Sequence, residues 1–172
     1  MTLIIETGVG LPDADSYASV ATADAQLAAL GVIDWAPLDE AAKEVALRNA
    51  TRFMRTNYRL RWAGRRLYHT QALDWPRYGV CVDDFPVLST VVPAEVVSAC
   101  IDLAARAGRG EQLMPDLDTG SNVVKRDKTG PLETEYFQNT TEARERFVAV
   151  DAALAPFFGA TSGGGMIKLV RG

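Results

Sequence analysis

Histidine and cysteine are nearly missing from this chain: His69, Cys81 and Cys100 are the full complement among 172 residues. A zinc site needs four ligands drawn from close Cys or His pairs, and no Cys-x-x-Cys spacing is present, so zinc is excluded. Both thiols read as small buried hydrophobes. A nucleophile–base pair would have to come from His69 and Cys81, twelve residues apart in an irregular stretch that specifies no mutual geometry. A lone histidine is more often a surface or structural residue than a catalyst. Gly-x-Gly-x-x-Gly and Walker loops are lacking, as are internal repeats, and the acidic pair Asp83-Asp84 is too sparse to specify a metal. The expectation is a protein that is not an enzyme and needs no cofactor. No apolar run approaches the roughly 18–20 residues that span a bilayer. The start, Met1 to Glu6, has neither a basic region nor a long apolar one, so a soluble protein made in the cytoplasm is expected.

An excess of positive charge is lacking too. Eighteen basic residues face 22 acidic ones, for a net charge of −4, which speaks against a generic nucleic-acid binder. The distribution is uneven, however. Nine of the eighteen basic residues lie between Lys43 and Arg77: Lys43, Arg48, Arg52, Arg55, Arg59, Arg61, Arg65, Arg66 and Arg77. Only Glu44 and Asp74 oppose them there. With 48% apolar and 23% charged residues the composition is that of an ordinary globular chain, long enough for one domain with its own core.

What is present is mostly helical periodicity. Thr2 to Glu6 is β-prone and reads as an edge strand, broken by Gly8-Val9-Gly10-Leu11-Pro12. Ser19 caps a first helix from Val20 to Leu30, with Val20, Ala23, Leu27 and Leu30 on one face and Gly31 as its stop. Asp39 caps the clearest helix, running to about Tyr58, whose core stripe is predicted as Ala42, Val45, Ala46, Asn49, Ala50, Phe53, Met54 and Asn57. Arg48, Arg52, Arg55 and Arg59 fall on its other side. That stripe is a contact surface for phosphates or acidic side chains, through bidentate guanidinium forks, or simply the solvated face that any amphipathic helix needs. From Arg61 to Leu88 periodicity vanishes, and long loops in compact domains are usually functional or wrapped around something. Trp75-Pro76 is expected to pin this loop by burying the indole, and Trp62 to lie in the core, leaving aromatic interleaving for base stacking thin.

Pro93 starts a third helix to Ala107, with Val96, Val97, Cys100, Ile101 and Ala104 buried and Gly108 ending it. Residues 122–137 read as a hairpin around Thr129-Gly130-Pro131, with Pro131 widening the turn; Lys125, Arg126 and Lys128 can pair across it with Glu133 and Glu135. A last helix from about Thr141 carries Phe147, Val148, Val150, Leu154, Phe157 and Phe158, interrupted late by Pro156. The predicted fold class is mainly α with a minor β part (α+β): about four bundled helices, a β-hairpin and an extended C-terminal tail. Residues 1–159 form the helical domain and 160–172 a linker and tail. Gly163, Gly164 and Gly165 make a hinge, and Met166, Ile167, Lys168, Leu169, Val170 and Arg171 alternate as an extended strand suited to a partner's sheet edge. A disordered terminus, or one folded back on its own domain, is the alternative.

The order of several short motifs resembles a known family. Asp13-Ala14-Asp15-Ser16-Tyr17, Ala72-Leu73-Asp74-Trp75-Pro76-Arg77, Val92-Pro93-Ala94-Glu95, the hairpin from Val124-Lys125-Arg126 to Glu135-Tyr136 and the ending Leu169-Val170-Arg171-Gly172 resemble tailed-bacteriophage head-to-tail connector proteins. That group often carries the label of a DnaT-like single-stranded-DNA-binding protein. The resemblance implies a structural adaptor in the virion, assembled in the host cytoplasm. It would form a twelve-membered ring of identical copies beneath the portal protein, extend the DNA channel with transient contact to passing duplex DNA, and meet a stopper or tail-completion protein. No catalytic residue and no membrane contact are implied. Gly163 to Arg171 would be the portal-docking tail. Arg48, Arg52, Arg55, Arg59, Arg65 and Arg66 would face carboxylates such as Asp116, Asp118, Glu142 or Glu145 of the next copy. The alternative is a single-stranded-DNA-binding replication accessory that uses the same six arginines as a phosphate track.

Overall fold

The computed structural model describes residues 2–114, 127–129, 132–134 and 147–159. It is an α+β protein with four α-helices among the described residues: α1 (Val20–Ala29), α2 (Glu40–Tyr58), α3 (Ala94–Gly108) and α4 (Val148–Leu154), the last running into a 3₁₀ turn at Ala155–Phe157. Among the described residues the β structure is three two-stranded antiparallel ladders: β1 (Arg65–Arg66) with β2 (Arg77–Tyr78), β3 (Cys81–Val82) with β4 (Phe85–Pro86), and β5 (Asp127–Thr129) with β6 (Leu132–Thr134). No described helix is long and apolar enough to cross a membrane.

The caps act as their residue types require. Ser19 Oγ accepts from the Thr22 amide at 3.0 Å and Asp39 Oδ1 from the Ala42 amide at 2.7 Å, each satisfying an orphan donor of its helix. Leu30, expected on the buried face, is the C-cap of α1 and 63% exposed. α3 differs at both ends. Pro93 is its cap rather than its first residue, and Gly108 is its last residue rather than its stop. Gly108 serves packing: a Cβ there would come within 2.8 Å of Leu38 and 3.3 Å of the Trp35 ring.

α2 and α3 form the central pair, with α1 against both and α4 against α3. The buried seam of α2 is turned from the predicted stripe: Lys43, Ala46, Leu47, Ala50, Thr51, Phe53, Met54 and Tyr58 face inward, whereas Val45 is 54% exposed and Asn49 is exposed. Two polar residues turn the seam. Thr51 donates to the Leu47 carbonyl at 2.9 Å and touches the Cys100 thiol at 3.4 Å, so its hydroxyl is satisfied inside the helix pair. Lys43 pairs with Asp24 at 2.9 Å and lies over the Trp35 ring, whose Nε1 donates to Asp24 at 2.6 Å. Lys43 and then Trp35 hold the Asp24 carboxyl below its usual range.

The far end of the core is a chain of aromatic rings. Phe147, Phe53, Tyr58, Trp62, Trp75 and Phe157 follow one another at centroid separations of 5.1 to 5.9 Å, all near edge-to-face. Each such pair contributes about 0.5–1.5 kcal/mol beyond its buried area. α4 is stitched alongside by main chain: the Ala63 amide donates to the Phe157 carbonyl and the Gly159 amide to the Arg61 carbonyl. Pro156 sits within the 3₁₀ turn, and Val148, expected in the core, is exposed.

Other expectations change in detail. The N-terminal strand is a single parallel bridge, Ile5 to Ser16, because Glu6 turns inward to accept the amides of Gly8, Gly10 and Leu11 at 2.8, 2.9 and 2.7 Å. Asp83 and Asp84 both have positive φ, 51° and 66°, and form the two-residue turn between β3 and β4, a turn role rather than a metal one. Cys81 lies exposed on β3, unlike the buried Cys100. In the last ladder Thr129 pairs with Leu132 and Lys128 with Glu133, which leaves two residues between the arms instead of a wider loop.

The turned seam of α2 makes a direct prediction. Leu47→Ala should cost about 2–5 kcal/mol, as a fully buried leucine does, whereas Val45→Ala should stay within about 0.5 kcal/mol, as surface changes do. Urea unfolding of the two variants reads the difference.

Candidate functional site

The segment from Arg61 to Leu88 is organised around Trp75, which is fully buried and follows Asp74 into a cis bond with Pro76. An irregular backbone taken into a core must still pair its amides and carbonyls, and three side chains do so here. The Tyr17 hydroxyl accepts from the amides of Asp74 and Trp75 at 3.0 and 3.3 Å. Gln71 donates to the carbonyls of Leu73 and Pro76 and accepts from the Tyr68 amide. The buried Arg77 guanidinium donates to the carbonyls of Ala63, Gly64 and Asp74 at 2.7, 2.9 and 3.1 Å. Burial, reinforced by the Asp74 carboxylate, pushes the Tyr17 phenol far up, so it remains neutral.

Asp74 is the centre of the electrostatics. Its side chain is buried and its Oδ2 has no hydrogen-bond partner. Burial raises its carboxyl pKa, and the positive fields of Arg59, Arg77, Arg55 and Arg66 oppose that rise. Cations from α2 and from the β1–β2 ladder therefore gather around one buried carboxylate.

The arginines expected to act together divide into separate groups. Arg52 and Arg55 on α2 and Arg59 at its C-cap are exposed and form no ion pair among the described residues, although the fields of Arg55 and Arg59 reach the buried Asp74. Arg65 is exposed with its Cζ 5.3 Å from the Tyr78 ring centroid. Arg66 is half-buried and donates to the Gln71 carbonyl at 3.0 Å. Arg48 turns away: it pairs with Glu44 at 3.2 Å and Asp15 at 3.5 Å. Arg61 is a clasp, bound to Asp151 at 3.2 Å and stacked 4.0 Å over Phe158. The tail positions Gly163 to Arg171, with Lys125, Arg126, Glu135, Asp116, Asp118, Glu142 and Glu145, lie outside the described residues.

Among the described residues, shallow grooves of 380 and 450 Å³ lie between α2 and the end of α3 and share Asn49 and Ala107. Arg52 lines the first beside Glu111 and Leu113. Among the described residues no group of three or more His, Cys, Asp or Glu is placed to hold a metal. His69 and Cys81 are both exposed.

Sequence reasoning missed Tyr17, Gln71 and Arg77 as the supports of this surface. Tyr17 and Arg77 lie within two of the motifs that carry the family resemblance. No spacing rule joins a hydroxyl to amides 57 and 58 residues away.

These features define a small α+β protein that presents a cationic helix face. The model of a family described as "Putative DnaT-like ssDNA binding protein" matches residues 1–172, and the chain belongs to that family. No curated protein and no solved structure matches it.

Two predictions concern the support of the surface. Tyr17→Phe removes the acceptor for two buried amides and should cost about 1–3 kcal/mol, read by urea unfolding. Asp74 has a folded pKa raised above its unfolded value. The carboxyl therefore supports folding below its ordinary pKa and opposes it once pH rises through the folded value. Asp74→Asn should accordingly raise the melting temperature at neutral pH, and the gain should shrink towards zero as pH falls through the carboxylate range.

Proposed function

We propose that this protein binds single-stranded DNA through the exposed arginines of α2 and its C-cap, with Arg65 of the β1–β2 ladder. The observation that carries the reading is the row of Arg52, Arg55 and Arg59, exposed on one helix face with no ion pair among the described residues. Guanidinium forks so placed take phosphate oxygens bidentately. The family's description agrees with this reading better than with a connector role. Arg65, exposed on the ladder beside Tyr78, offers a further contact, while Arg48, paired with Asp15 and Glu44, contributes less than its spacing suggests.

Phosphate neutralisation has a measurable signature. The logarithm of affinity for an oligo(dT) should fall linearly with the logarithm of salt concentration, by roughly 0.7 for each phosphate contacted on a single strand. Arg55→Gln with Arg59→Gln should weaken binding at low salt and reduce that slope by roughly 0.7 per arginine. An unchanged slope in the double variant removes the α2 face from the binding surface.

A second reading follows from the chain's acidic balance, a net charge of −4. A channel subunit that lets duplex DNA slide past gains nothing from tight phosphate contacts, and the same arginines would then meet carboxylates of a neighbouring copy. This is the ring-forming head-to-tail connector, docking a portal protein through residues 160–172. It predicts weak binding to free oligonucleotide, binding to assembled portal rings, and loss of portal binding when residues 160–172 are deleted. Reversing Arg52 and Arg55 to Glu would weaken ring assembly.

A further inference from the structure

We infer that Tyr78 is a stacking residue for one unpaired base, with Arg65 bracing its ring; this rests on the single-stranded-DNA reading and supplies its contact to the bases. The β1–β2 ladder has two rungs, Arg65 opposite Tyr78 and Arg66 opposite Arg77. Side chains alternate along a strand, and the ladder uses that alternation to separate two tasks. Arg77 points in and is tied to three carbonyls, while Tyr78 points out with 57% of its surface exposed. An outward tyrosine on a rung next to a buried staple is held in place before any ligand arrives, which lowers the ordering cost of binding.

The close fit of the ladder reinforces this. Gly64 has a positive φ of 63°, and a Cβ there would come within 2.3 Å of the Tyr78 carbonyl oxygen. The strands therefore approach only because residue 64 lacks a side chain. Arg65 lies 5.3 Å from the ring centroid, a cation–π distance, and stiffens the ring without enclosing it. The neighbouring rung, Arg66 and Arg77, turns to the opposite face, where together with Arg55 and Arg59 it sets the positive field at the buried Asp74. Tyr78 shares its outward face with the exposed Arg65, so a strand with a phosphate on Arg65 can turn a base onto the ring. Only an unpaired base offers its flat face to such a ring, so the preference is for single strands over duplex.

The test is binding of fluorescein-labelled oligo(dT) and of a duplex of equal length by the full chain and by Tyr78→Ala, Tyr78→Phe and Tyr78→Trp, across a salt series. The expected result is binding of oligo(dT) over duplex by the native chain. Tyr78→Ala should weaken binding by about tenfold, the loss expected for one stacked base, with its salt slope and melting temperature unchanged. Tyr78→Phe and Tyr78→Trp should retain native affinity. Native oligo(dT) binding together with an unaffected Tyr78→Ala would overturn the stacking role and leave the phosphate reading standing. A native chain that binds no oligo(dT) even at low salt would overturn both.

Discussion

Tyr17 lends one hydroxyl oxygen to two amides, those of Asp74 and Trp75, and the loop beyond α2 depends on that bond. Burying Trp75 supplies apolar area and edge-to-face contacts with Trp62 and Phe157, but it takes irregular backbone out of water. Each unsatisfied buried amide would cost about 1–3 kcal/mol. Tyr17, Gln71 and Arg77 together convert that liability into a framework. Two short antiparallel ladders then follow from a segment with no periodicity of its own.

The same framework places charge. Arg77 ties its own strand to the Ala63 and Gly64 carbonyls, and Arg66 of the ladder acts on Asp74 together with Arg55 and Arg59 from the end of α2. Asp74, buried beneath, partly offsets these cations without pairing with any of them by a side-chain hydrogen bond. A cationic surface with a counter-charge under it is weaker than its count of arginines suggests. That moderates any phosphate contact and leaves room for a partner's carboxylates instead.

The helices were readable from spacing and end residues because those signals are local. Ser19, Asp39 and the region of Pro93 mark helix starts through hydrogen bonds and ring geometry that span a few residues. Facing was less readable. The stripe of α2 is turned because Lys43 is drawn in by Asp24 and Trp35, and Thr51 by the Leu47 carbonyl beside Cys100. Both residues look polar in the sequence and are satisfied only by their tertiary surroundings. The four arginines of the α2 stripe likewise look equivalent by spacing, and Arg48 leaves the group because Asp15, from the N-terminal segment, reaches it.

The sequence by itself determined the helices and the concentration of basic residues between Lys43 and Arg77, since each depends on neighbours along the chain. Only the tertiary structure decided which arginines stay exposed, that Asp74 lies beneath them, and that Tyr78 turns outward while Arg77 turns in. The physical reason is the accounting of buried polar groups. Which side chain satisfies which amide, carbonyl or charge is settled by contacts between distant segments, and local patterning carries no record of them.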